Sequence, residues 1–110
     1  MPLKLDNIFE AIPEDLDSEV FENIIQNGNM RVERIISRGH STPAGKWLDQ
    51  AQSEWVLLLT GAATIAIENE GDHDLVPGSY LNIPAHTRHA VKWTSPEVET
   101  LWLAVHYQGA

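Results

Sequence analysis

No cysteine occurs among the 110 residues. Disulfides and thiol catalysis are therefore excluded, and a reducing cytoplasm is the expected location. Basic residues are scarce, seven against sixteen acidic ones, which gives a net charge of −9. Phosphate backbones are held by clustered Lys and Arg, so nucleic acid is excluded as a partner, and an anionic membrane surface is disfavoured. No apolar run approaches the roughly 20 residues that span a bilayer, so no membrane partner is expected. The start, Met-Pro-Leu-Lys-Leu-Asp-Asn, has no basic region followed by an apolar one and does not read as a signal peptide. No glycine-rich loop suited to phosphates is present, so no nucleotide cofactor is expected. Repeats and low-complexity tracts are absent as well.

What remains is one ordinary globular domain. Hydrophobic residues make up 43% of the chain, too many for disorder. Residues 1–29 read as an extended arm followed by a short helix. Asp17 or Ser18 can cap the helix, Leu16, Val20, Phe21, Ile24 and Ile25 share one face, and Asn27-Gly28 ends it. Residues 30–110 change to a period of two. Strands are predicted at Arg31–Arg38, Glu54–Thr60, Ala62–Ile67, Leu75-Val76, Tyr80–Ile83, His89–Thr94 and Leu101–Tyr107. Short strands separated by turns predict an all-β sandwich or small barrel.

The stretch from Gly78 to Trp93 carries the densest signal. Pro77-Gly78 makes a turn, Tyr80–Ile83 alternates as a half-buried strand, and Pro84 ends the ladder. His86 and His89 follow across a turn. Gly78, five residues, Pro84, then His89 and four residues to Trp93 resembles the second motif of the cupin superfamily. His86 stands where that motif has glycine, and Trp93 where it has asparagine. Glu54 and Gly61 are similar in spacing to the end of the first motif. The register of that motif's two histidines holds Trp47-Leu48-Asp49, with Gln50 next. The resemblance covers roughly residues 30–107 and implies a cupin-like jelly-roll β-barrel. It also implies ligand positions for a metal at His89 and Glu54, and pairing of two copies through their sheets.

Pleat parity gives the strands faces. With Glu54 inward, Val56, Leu58 and Thr60 point inward, and Trp55, Leu57 and Leu59 form an outward apolar row. That row needs cover, and a homodimer would supply it. With His89 inward, Val91 and Trp93 point inward too. Leu58, Val56, Val91, Trp93, Leu81 and Ile83 are the predicted barrel filling. Imidazole and carboxylate together suit a divalent ion such as zinc, iron, nickel or manganese. The candidate ligands are His89, His86, Glu54, His40 and Gln50, and Trp47, Asp49, Trp93 and Leu58 are the predicted pocket lining. Each has a plainer reading. A turn histidine can simply bond backbone, Glu54 can pair with Arg34 or Arg88, and Trp47, Trp93 and Trp102 can be core packing. His106 reads as structural or interfacial, and His73 as solvated. Two functions stay open. One is a metal-dependent enzyme, such as an oxygenase, isomerase or hydrolase, acting on a small organic molecule. The other is a binding or sensing module without metal or turnover.

Overall fold

The computed structural model describes residues 2–108. Among these there is no helix. Eight strands occur: β1 (Val20–Asn27), β2 (Met30–Ser37), β3 (Ser53–Thr60), β4 (Ala63–Ile67), β5 (Gly71–Leu75), β6 (Tyr80–Ile83), β7 (His89–Thr94) and β8 (Thr100–Tyr107). They form two antiparallel sheets, one ordered β1-β2-β8-β3-β6 and the other β5-β4-β7. Their inner faces meet around Ile35, Val56, Leu58, Ile65, Ile67, Leu75 and Trp102, with Leu81 and Val91 packed against them. This is the all-β jelly-roll expected from the short strands and their turns.

The expected helix over Leu16–Ile25 is corrected to an arm followed by a strand. Val20, Ile24 and Ile25 are β-branched, and an eight-residue segment gains more from a full ladder with β2 than from an isolated helix. Its apparent helical spacing has a local cause. The register with β2 shifts between Asn23 and Ile25, so one residue is left over and the alternation breaks. Gly28 (φ +57°) belongs to the tight link between paired Asn27 and Met30 and does not terminate a helix. Before β1, the arm crosses the outer face of β2. The buried Arg34 guanidinium donates to the carbonyls of Ile8 (3.0 Å), Glu10 (2.6 Å) and Ala11 (3.2 Å), and to the Glu22 carboxylate (2.7 Å). Arg34 therefore holds the arm and does not pair with Glu54.

The parity reading of β3 matches the burial from Glu54 to Leu58 and stops there, because the register with β8 shifts between Leu58 and Thr60 and Thr60 is only half-buried. Glu54, Val56 and Leu58 are buried, while Trp55, Leu57 and Leu59 are only half-buried. Outside, Trp55 lies against Tyr80, ring centroids 5.7 Å apart. Gly61 links β3 to β4 at φ +88°, and a Cβ there would overlap Thr100 Oγ1 and lie 2.6 Å from Thr100 Cα. Only glycine fits so close to the start of β8. On β7 the alternation fails. Ile65 pairs with Val91 but Thr64 pairs with Trp93, so Lys92 is an extra residue and the pleat reverses beyond it. Trp93 turns out, 45% exposed, and Thr94 turns in. The expected inward Trp93 is thus corrected by a bulge.

Candidate functional site

Strand register places three inward rows across β2, β8, β3 and β6. Arg31, His106, Glu54 and Ile83 form one row, Glu33, Ala104, Val56 and Leu81 the next, and Ile35, Trp102 and Leu58 the third. Side chains two apart on a strand share a face, so this surface is polar at one end and apolar at the other. β7 of the opposing sheet adds His89 and Val91, and β4 adds Ile65. Together with the loop residues Ser41, Thr42, Pro43, Leu48 and Gln50 they enclose a cavity of about 540 Å³. That volume suits one small organic molecule.

Two imidazole–carboxylate pairs face this space. His89 is buried, and its Nδ1 lies 2.8 Å from the Thr87 carbonyl. A carbonyl only accepts, so Nδ1 carries the proton and Nε2 presents a lone pair. Nε2 lies 3.9 Å from Glu54 Oε1, too far for a hydrogen bond, so the two groups face the cavity without bonding each other. The backbone of His89 is fixed too. Leu48 donates to the His89 carbonyl (2.7 Å) and His89 donates to the Leu48 carbonyl (3.1 Å), so the loop before β3 is stitched to the start of β7. The second pair is shorter: His106 Nε2 lies 2.7 Å from Glu33 Oε1, both groups buried. Glu33 Oε2 faces Arg31 Nε at 3.6 Å.

Glu54 sits between these pairs. Burial pushes its carboxyl above the usual carboxylate range. His106, His89 and Arg31 oppose that rise, and the Glu33 carboxylate adds to it. Gln50 contributes a different asymmetry, because its Oε1 is buried without any hydrogen-bond partner. A buried acceptor left unpaired costs stability, and such groups in folded proteins call for an explanation.

The structure brings His89, Glu54 and Gln50 to one cavity and leaves the other candidate ligands outside it. His40 Nδ1 accepts from the Arg38 amide (2.9 Å), and the His40 carbonyl accepts from Thr94 (2.6 Å), so it braces its own loop. His86 is exposed at φ +61° and bonds Asp49 Oδ1 at 2.9 Å on the surface. Trp47 lies under Arg88, 5.9 Å from the guanidinium to the ring centroid, and is 37% exposed. Leu58 is fully buried in the core and does not line the cavity, and neither do Trp47, Asp49 and Trp93. Glu33 and His106 are cavity residues that the sequence reading did not select. Parity could have offered them, since Glu33 alternates with Ile35 and His106 with Trp102. Among the described residues no three His, Asp or Glu side chains converge as a metal centre, so the expected five-residue metal set is not assembled.

Comparison with known proteins follows the same outline. The model of the cupin domain matches residues 36–106. A crystal structure from Ralstonia eutropha JMP134, named as a "putative mannose-6-phosphate isomerase", is 38% identical. Its match covers 97% of this chain and 100% of that one, with a TM-score of 0.93. A cupin superfamily protein from Desulfitobacterium hafniense DCB-2 is 20% identical over 89% of this chain and 84% of its own, TM-score 0.72. An RmlC-like cupin from Methanocaldococcus jannaschii, with a double-stranded β-helix fold, is 14% identical over 89% and 87%, TM-score 0.68. The last two likenesses concern the fold alone. No curated protein matches the chain.

Proposed function

The chain belongs to the cupin family, and from that premise we propose that it binds a small hydroxylated organic molecule inside the barrel and exchanges protons with it through Glu54 and His89. The observation that carries this reading is the Glu54 carboxyl, buried beside an imidazole with a free lone pair and raised in pKa. A carboxyl raised above the usual carboxylate range takes and returns a proton more readily than an ordinary glutamate. Isomerisation of a sugar, the activity in the name of the Ralstonia relative, needs that property. A base removes the proton from the carbon beside a carbonyl, and the electron pair moves onto the carbonyl oxygen to give an enediolate. The hydroxyl proton passes from its oxygen to that one, and the base returns its proton to the former carbonyl carbon. Glu54 is the base in this scheme. His106 and Glu33, hydrogen-bonded to each other on one wall of the cavity, orient hydroxyls. Ile35, Ile65 and Trp102 supply an apolar floor that keeps water out.

Two measurements test it. Calorimetry against sugars, sugar phosphates and hydroxy acids should give saturable binding that Glu54→Gln and His89→Ala weaken. Incubation of a bound sugar in deuterium oxide should place deuterium at the carbon next to the carbonyl with the wild type and not with Glu54→Gln. Binding untouched by both substitutions would end the proposal. Binding without exchange would leave a non-catalytic binding module.

A divalent ion is a second reading, supported by the unpaired Gln50 Oε1. His89 Nε2, Glu54 and Gln50 are the donors that would hold it, and it would polarise a carbonyl. Elemental analysis after incubation with zinc, nickel, manganese or ferrous iron decides this, with His89→Ala as the control. We also read the outward row of Trp55, Leu57 and Leu59 as the face of a homodimer in a cytoplasmic protein. Light scattering should then report about twice the 12.3 kDa chain mass.

A further inference from the structure

We infer that Arg31 is the anchor for an anionic group, a phosphate or a carboxylate, on the molecule that enters the barrel. This rests on the barrel being the ligand site proposed above, and it names the class of molecule that site selects. Arg31 is the sole Lys or Arg among the residues lining the cavity. Its guanidinium makes no hydrogen bond with any described residue, and its Nε is shielded from water without an acceptor. The nearest carboxylate oxygen, Glu33 Oε2, is 3.6 Å away, while the other Glu33 oxygen is taken by His106 at 2.7 Å. The side chain remains 37% exposed, so a solute can reach it. Five N–H donors in a planar fork, unspent at a cavity rim, match two oxygens of a phosphate or carboxylate.

The register says where the rest of such a molecule would lie. Arg31, His106 and Glu54 are cross-strand partners on β2, β8 and β3. Adjacent strands are about 4.8 Å apart, so Arg31 and Glu54 stand on the order of 10 Å apart. An anion held by Arg31 lays a short hydroxylated chain over His106, with its far end at Glu54 and His89. The acidic neighbours Glu19, Glu33 and Glu54 also line the cavity. They reject an anion everywhere except at the one cation, which fixes the direction of entry.

The test is calorimetry with three probes, mannose, mannose 6-phosphate and gluconate, against the wild type, Arg31→Lys and Arg31→Met. The wild type should bind one anionic probe at least about 10-fold more tightly than mannose. Arg31→Met should weaken that probe by about 10- to 100-fold while leaving mannose unchanged, and Arg31→Lys should keep part of the preference. Preference for mannose 6-phosphate identifies a phosphate, and preference for gluconate a carboxylate. Equal binding of mannose and both anions by the wild type, or an anion preference that survives in Arg31→Met, would overturn the inference and leave the barrel site standing. If no probe binds the wild type, the barrel reading falls and this inference with it.

Discussion

The two ends of one inward surface differ in kind. At the apolar end, Ile35, Trp102 and Leu58 are buried hydrocarbon and ring, with Trp102 Nε1 satisfied by Ser37 Oγ at 3.3 Å. At the polar end, the same three strands present Arg31, His106 and Glu54, and the next row adds Glu33. Burying these charges costs free energy that two imidazole–carboxylate pairs return only in part, and Gln50 Oε1 and Arg31 Nε remain unpaired. Stability is concentrated at one end and tolerance of strain at the other. Substitutions at the two ends should therefore act in different directions.

The largest loss is expected beside the apolar end, at Gly61. A methyl there meets Thr100 in a left-handed backbone, so Gly61→Ala should cost roughly 3–5 kcal/mol from overlap plus strain. Urea unfolding checks it, and a change near zero would mean that the β3–β4 link is not so tight. Leu58→Ala follows, at about 2–5 kcal/mol for a fully buried leucine. Preservation of the wild-type midpoint would refute the inward parity of β3.

At the polar end the sign reverses. Glu54 has a raised pKa when folded, so the native state holds its proton more tightly than the unfolded chain. The Glu54 contribution to stability therefore falls as pH rises from the ordinary glutamate range through the folded pKa, and the penalty is complete above that. Glu54→Gln should leave the fold intact and raise the melting temperature at pH 7, with the gain shrinking toward pH 4. A melting temperature lowered at pH 7 would show that the carboxylate is paired well enough to stabilise. The smallest effect belongs to the surface. His86 is exposed and left-handed, so His86→Gly should shift stability by no more than about 1 kcal/mol and leave ligand binding unchanged. A large loss of binding would place His86 at the mouth after all.

Much of the apolar end was legible in the sequence. Glu-Trp-Val-Leu-Leu-Leu has a fixed alternation once one residue is oriented, and Gly61 matches a motif glycine that the backbone requires. His89 and Glu54 were legible for the same reason, as strand residues near motif positions. The polar end was only half legible. Glu33 and His106 are 73 residues apart and meet through the β2–β8 register, which no local pattern reveals. His40 and His86 lie in loops, where no pleat fixes a side-chain direction. The β7 bulge at Lys92 reversed Trp93, and the β1 bulge at Ile24 imitated a helical period. In each case a single extra residue undid a correct alternation.

One measurement separates the cavity from the surface most directly. The imidazole nitrogen resonances of the five histidines can be followed by NMR while the tightest-binding sugar, sugar phosphate or hydroxy acid is added. If the cavity is the site, His89 and His106 shift together and saturably, and His40, His73 and His86 stay where they are. Shifts confined to His86, with His89 and His106 unmoved at saturation, would contradict the claim that the polar end of the barrel binds the ligand.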